Sequence, residues 1–186
     1  MTTSQLSTYP PLLAHILDGK RYDPLLRSPD VAQHRAEWRD LFKRLIACPP
    51  KDHAIVEHFH TQWHVSHHFI RELVEDDVLL MDMLWVWLPR YEGPSMALYR
   101  GENIDRFEAG NIGTAWTDKE EKASMFASGL NAVGKGGAIL RTLAPVASII
   151  AGPSKHSIYL GESEFTLDTR SLGEITRIRD FGPWPG

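Results

Sequence analysis

The sequence of 186 residues has one cysteine, no long apolar run and little excess of charge. Because a single cysteine cannot form an intrachain disulfide, Cys48 is compatible with a reducing compartment. The most apolar segment, residues 78–88, contains Asp82 and stops before Pro89, so it is too short to span a bilayer. A formal net charge of −4 gives no electrostatic reason to expect binding to nucleic acid or to an anionic membrane.

The N-terminal stretch MTTSQLSTYPPLL lacks a basic segment followed by an apolar run, so we expect no cleavable signal peptide. The expected location is the cytoplasm, and the alternative is delivery into a target cell by a secretion system that reads no such signal. Hydrophobic residues make up 42% of the chain, which is enough for a sizeable core in one domain or in one domain with an extra lobe.

The first half has helical periodicity. Trp38, Leu41, Phe42 and Leu45 recur at helical spacing after a cap at residues 28–30. Two more helices are predicted, from about residue 52 to 73 and from about residue 76 to 88. The first twenty-odd residues contain several prolines and are predicted to form a loosely held arm with at most one short helix.

After residue 93 the pattern changes to short β-type runs punctuated by glycine and proline. Strands are predicted at residues 96–100, 112–117, 138–142, 146–151, 157–160, 164–168 and 175–178. One helix interrupts them, with Asp118 as its cap, Glu121 completing a capping box, and Ala123, Phe126 and Ala127 as its buried face. The sequence thus predicts an α+β fold, with a helical region at 1–93 packed on a β-rich region at 94–186.

Three segments of the second half carry candidate chemistry. In the first, Arg100 ends an apolar strand and precedes Gly101. An arginine at such a place must send its guanidinium to a pocket or into an ion pair, because burial without a partner is prohibitive. Its forked donors suit a phosphate, and the glycine would let a flat ligand approach the backbone; the alternative is a strand-end arginine in a salt bridge.

The second segment, residues 113–117, is a strand that leads directly into the predicted helix. The hydroxyl of Thr117 could hold a neighbouring carboxylate, or it could simply assist the helix start. The third segment places Glu162 and Glu164 two residues apart at the start of an apolar strand, where both would point to the same face. Such a pair suits a site that stabilises a cationic transition state, although the same spacing is common on protein surfaces.

Together, and in this order, the three segments resemble the arginine–serine–glutamate class of mono-ADP-ribosyltransferases, which includes bacterial toxins and phage-encoded modifying enzymes. The resemblance covers roughly residues 98–178 and implies a split β-sandwich, NAD as the substrate, and an acceptor that is a macromolecule, most simply a protein arginine. It implies that Arg100, Thr117, Glu162 and Glu164 are catalytic. It further implies that NAD contacts a set of eight residues: Tyr99, Arg100, Gly101, Thr114, Trp116, Thr117, Phe126 and Glu164.

By this resemblance Arg100 binds a phosphate of NAD, and the Gly101 backbone touches the carboxamide. Glu164 holds the ribose 2′-hydroxyl and stabilises the oxocarbenium-like state as nicotinamide leaves, while Glu162 assists the acceptor nucleophile. The loop at 152–161 would recognise the acceptor through Tyr159. No membrane partner is expected, and nucleic acid is the less favoured acceptor.

The sequence departs from the family at Ala115, because the family's motif normally opens with serine. Either Thr114 or Thr117 supplies the missing hydroxyl, or activity is weakened. Three alternatives to the transferase therefore stay open: an NAD glycohydrolase, an interaction module with a damaged site, and a metal-binding helical protein. The last rests on five histidines at 58, 60, 64, 67 and 68, which share a helix but lack an H-E-x-x-H pattern and a third ligand type, so no metal site is predicted.

Overall fold

A computed structural model describes residues 9–184. The chain forms two compact units, Met1–Leu88 and Pro89–Gly186. The boundary lies five residues before the division at residue 93 expected from the sequence, since Tyr91 packs against the core of the second unit and its N–H donates to Ile150 O. No helix within residues 9–184 is long and apolar enough to cross a membrane.

The first unit is helical. Its α-helices are α1 (Leu12–Leu17), α2 (Asp23–Leu26), α3 (Arg35–Ala47), α4 (His53–Val74) and α5 (Asp77–Trp87), with a 3-10 turn at Val31–His34 before α3. The three long helices predicted from periodicity are confirmed. The prediction of a loosely held arm before α3 is wrong. The chain forms two short helices there, α1 and α2, rather than at most one, and Leu12, Ile16 and Tyr22 are buried.

Local side-chain hydrogen bonds explain where the long helices begin and end. Asp52 accepts from the N–H of Ala54 at the start of α4, and Asp76 accepts from the N–H of Leu79 at the start of α5. Between them Glu75 adopts a left-handed conformation with φ of 50°, and its N–H donates to Arg71 O. Helix α4 therefore ends with a left-handed C-cap at Glu75, and α5 begins with a side-chain N-cap at the next residue, Asp76.

The second unit carries a six-stranded sheet. Its strands are β1 (Met96–Asn103), β2 (Ala115–Thr117), β3 (Gly137–Ala144), β4 (Ile149–Ala151), β5 (Glu164–Leu167) and β6 (Ile175–Phe181), in the order β4-β5-β2-β1-β3-β6 with antiparallel pairing throughout. Three short helices join them: α6 (Ile104–Glu108), α7 (Glu120–Ser128) and α8 (Lys155–Tyr159). The α+β class predicted from the sequence is confirmed.

Each face of the sheet buries a different set of side chains. One face carries the larger core, which includes Leu98, Trp116 and Phe165. On the other face Ala123 and Ala127 of α7 pack against Ile139 of β3 and half-buried Tyr99 of β1. Since side chains alternate along a strand, neighbouring residues of β1 point to opposite faces.

Two local predictions in this unit are wrong. Asp118 does not cap α7: the N-cap residue is Lys119, whose side chain makes no capping hydrogen bond. Phe126 is not part of the buried face of α7, because it remains 38% exposed. The helix is held instead by its two alanines, whose small size lets the main chain of α7 approach the sheet closely.

Candidate functional site

Three predicted site residues lie side by side across three adjacent strands. Tyr99 of β1 is the register partner of Thr117 of β2, and Thr117 is the register partner of Glu164 of β5. Directly opposed residues of antiparallel strands point to the same face, with Cβ atoms about 5 Å apart. The sheet therefore brings a tyrosine, a hydroxyl and a carboxylate into one row, in which Glu164 is partly exposed and Thr117 is buried.

The hydroxyl of Thr117 links three parts of the chain. It donates to the main-chain oxygen of Glu162 at 2.7 Å and accepts from the N–H of Lys119 at 3.2 Å. The ammonium of Lys119 in turn donates to Gly161 O at 3.2 Å. Thr117 thus fixes the segment that precedes Glu164 and assists the helix start, but its only donor is used on a main-chain oxygen and not on a carboxylate as the first interpretation predicted.

Helix α8 (Lys155–Tyr159) covers most of residues 157–160, so the strand predicted there is wrong. Ser154 caps α8 by accepting from the N–H of Ser157 at 3.0 Å. The hydroxyl of Ser157 is fully buried and accepts from the N–H of Glu164 at 2.7 Å. The turn of α8 therefore fixes the main chain at the first residue of β5.

Glu162 and Glu164 are not neighbours on one strand, and that prediction is wrong. Strand β5 begins at Glu164, and Ser163 between the two carboxylates is left-handed with φ of 52°. Strand alternation therefore does not apply to Glu162, whose N–H donates to Ser157 O. Glu162 stays close to the row through its main chain, which accepts from Thr117.

Arg100 lies where β1 and β2 separate. Within the described residues these strands pair at a single position, Tyr99 with Thr117. By alternation Arg100 points to the face opposite Thr117 and Glu164, but its guanidinium reaches the main chain of β2, where Nη1 donates to Ala115 O at 2.6 Å. The structure therefore places Arg100 beside the row, and not in it.

The same guanidinium forms a salt bridge, which confirms the alternative considered for Arg100, although its partner Glu102 was not predicted. Nε of Arg100 donates to Glu102 Oε2 at 2.7 Å, and the Glu102 side chain is fully buried. Burial alone would raise the pKa of Glu102, yet Arg100, the N–H of Gly113 and Arg106 hold it below the ordinary value of 4.5. The sequence does contain one indication of this contact. Arg100 and Glu102 are two residues apart on one strand, so their side chains point to the same face.

Three other predicted NAD contacts are buried in the second unit: Gly101, Thr114 and Trp116. Gly101 faces α7, because an added Cβ would lie 2.5 Å from Ala127 N and 2.8 Å from Phe126 Cβ. Trp116 is buried in the core and donates from Nε1 to Gly113 O at 3.0 Å. The Thr114 hydroxyl is fully buried and has no hydrogen-bond partner among the described residues, so Thr117 is the better placed of the two candidate hydroxyls.

The histidines of α4 form no metal site among residues 9–184, where no group of three or more histidine, cysteine, aspartate or glutamate side chains could hold an ion. His60 and His64 are buried in the first unit. Trp63 and His67 lie with ring centroids 5.9 Å apart, which is aromatic packing within the helix.

No family model matches this chain, and neither the curated proteins nor the solved structures contain a significant match.

Proposed function

We propose that the second unit is a mono-ADP-ribosyltransferase with a split β-sandwich, which cleaves NAD and transfers ADP-ribose to a protein side chain, most simply an arginine. The observation that carries this proposal is the pairing of Thr117 with Glu164, beside the place where the Arg100 guanidinium donates to the main chain of the same strand β2. A carboxylate, a hydroxyl and a guanidinium are thereby supplied by three different strands of one sheet.

The chemistry requires cleavage of the bond between C1′ of the ribose and the nicotinamide nitrogen. That electron pair leaves with nicotinamide, which departs neutral, and positive charge develops on the ribose. Glu164 accepts a hydrogen bond from the ribose 2′-hydroxyl and stabilises this charge, and preorganised charge of this kind is usually the largest catalytic contribution. Arg100 binds a phosphate of NAD through donors that its protein partners leave available.

The acceptor nitrogen then forms its bond to C1′ and loses a proton, which Glu162 receives as a general base. The segment that precedes Glu162 presents an exposed apolar surface, with Tyr159 85% exposed and Ile158 64% exposed. An exposed aromatic beside the two carboxylates suits contact with a macromolecular acceptor.

The test is transfer of labelled ADP-ribose from NAD to proteins of a bacterial lysate. Wild type and the control variant Glu174→Gln should label a protein, because Glu174 is exposed and lies outside the proposed site. Glu164→Gln should abolish labelling without loss of folding. Labelling that is unchanged in Glu164→Gln would refute the assignment, and free ADP-ribose without labelled protein would favour the glycohydrolase.

One observation favours a second candidate, an interaction module with a weakened site. The charge of Arg100 is already compensated by buried Glu102, and Ala115 supplies no hydroxyl where the family has serine. If wild type neither releases nicotinamide nor labels protein but still binds NAD, this second candidate is the correct one.

A further inference from the structure

The guanidinium of Arg100 is held on two sides by the protein. Nε donates to Glu102 and Nη1 donates to Ala115 O, whereas Nη2 has no hydrogen-bond partner among the described residues. The side chain is 12% exposed, so it is largely removed from solvent. Two of the five N–H donors are thus occupied, and the two donors of Nη2 remain for a ligand.

Glu102 holds more than the arginine. Its Oε2 also accepts from the N–H of Gly113 at 3.0 Å, and its Oε1 accepts from the N–H of Asn103 at 3.0 Å. This carboxylate therefore joins β1 to the segment that enters β2. Because the segment and the guanidinium share one acceptor, movement of either changes the position of the other.

Gly113 lies directly against the guanidinium. A Cβ added at this position would lie 2.7 Å from Arg100 Nε, and closer still to Cζ and Nη2. The backbone of Gly113 is not in the left-handed region, so alanine is compatible with its conformation. The absence of a side chain at 113 is therefore required by Arg100, and not by the main chain.

We propose that Glu102 and Gly113 are positioning residues that fix the Arg100 guanidinium with Nη2 directed to an anionic group of the ligand. This inference rests on the proposed function for the identity of that ligand, a phosphate of NAD. Glu102 fixes the orientation of the guanidinium by accepting from its Nε–H, and Gly113, which has no side chain, leaves the space that the guanidinium occupies. Neither residue touches the ligand.

The first measurement follows the Nε–H of Arg100 by 15N NMR of the full chain. Wild type should show a signal protected from solvent exchange, which Arg100→Lys removes and thereby assigns. Gly113→Ala and Glu102→Gln should shift this signal and speed its exchange. Arg179→Gln is the control and should leave the signal unchanged, because this arginine is 58% exposed and its ion-pair partner is Glu120 and not Glu102. An unchanged signal in Gly113→Ala would overturn the proposal.

The second measurement is a double-mutant cycle on affinity, with NAD and inorganic pyrophosphate as probes in calorimetric titrations. Loss of one charge-assisted hydrogen bond predicts that Arg100→Ala and Gly113→Ala each weaken binding by about 10- to 100-fold. Gly113 acts through Arg100, so adding Gly113→Ala to Arg100→Ala should change affinity by less than about twofold. Gly173→Ala controls for a general effect of alanine, since its nearest atom is at 3.6 Å.

The outcomes separate the two proposals. Additive effects in the cycle would overturn positioning by Gly113. If the protein binds pyrophosphate but not NAD, and the effects of Arg100→Ala and Gly113→Ala on pyrophosphate affinity are again non-additive, positioning is supported and the proposed function is refuted. If wild type binds neither probe, the proposed function and the anion site are both refuted.

Discussion

The substitution Gly101→Ala tests how closely α7 packs on β1. A Cβ at this position would lie 2.5 Å from Ala127 N and 2.8 Å from Phe126 Cβ, and closer still to Ala123 O. Two of these three atoms belong to the main chain of α7, so the helix must move as a body and no rotamer change relieves the overlap. Overpacking of this kind typically costs 1–3 kcal/mol.

The expected net effect is smaller than the steric cost. The backbone of Gly101 is not left-handed, and replacement of glycine by alanine restricts the unfolded chain, which stabilises by about 0.4–1 kcal/mol. With a steric cost near the upper end of its range, we expect Gly101→Ala to lower the free energy of unfolding by about 2 kcal/mol or slightly more. The variant Gly173→Ala measures the stabilisation that comes from restricting the unfolded chain without steric overlap, because the nearest atom to its added Cβ is 3.6 Å away.

Urea unfolding followed by circular dichroism and tryptophan fluorescence measures both variants against wild type, with the slope of free energy on urea compared as a check. Gly101→Ala should unfold at lower urea than wild type, and Gly173→Ala at equal or higher urea. If Gly101→Ala is as stable as Gly173→Ala, the close approach of α7 is not what requires glycine. Contact between Gly101 and the carboxamide of NAD would then be the remaining reason.

Three further predictions follow from single contacts. Ser157→Ala removes the acceptor of the Glu164 N–H and should cost about 1–3 kcal/mol in chemical unfolding; an unchanged midpoint would show that this N–H finds another partner. The lowered pKa of Glu102 means that its ionised form stabilises the fold above pH 4.5 and that this contribution is lost as pH falls through the folded-state value. Wild type should therefore lose stability more steeply than Glu102→Gln as the pH falls below 4.5, and parallel pH profiles would contradict the assigned ion pair. Asp52→Ala removes the cap of α4 and should lower stability by about 0.5–2 kcal/mol, whereas Asp52→Asn should retain most of it; equal losses in both would exclude capping as the cause.

Periodicity predicted the long helices and most strands because their apolar residues face one core. Trp38, Leu41, Phe42 and Leu45 are all buried, as their helical spacing requires. The strand predicted at 157–160 was wrong because a cap at Ser154 and a buried hydroxyl at Ser157 favour a helical turn over the β-type composition of residues 158–160. Hydrogen bonds of this kind depend on neighbours that only the folded chain supplies.

In the candidate site, too, the local sequence predicted the strands but not which side chains the folded sheet brings together. The short β-type runs around Arg100, Thr117 and Glu164 predicted strands, but the row of Tyr99, Thr117 and Glu164 depends on which strands are adjacent. A salt bridge of Arg100 was considered, but its partner Glu102 was not predicted, because a two-residue spacing is common in strands and indicates a contact only once both side chains are known to be buried. The idea that Glu162 and Glu164 share a strand failed because Ser163 leaves the extended conformation.

The central claim is that Glu164 promotes cleavage of NAD, and release of nicotinamide by the purified full chain tests it most directly. The reaction contains NAD and a small guanidino compound as acceptor, and nicotinamide is quantified by chromatography. Wild type and Glu174→Gln should release nicotinamide at the same rate, while Glu164→Gln should be slower by about 100-fold or more, the effect expected when one preorganised group is removed. Equal rates in Glu164→Gln and wild type, or no release by wild type, would contradict the account.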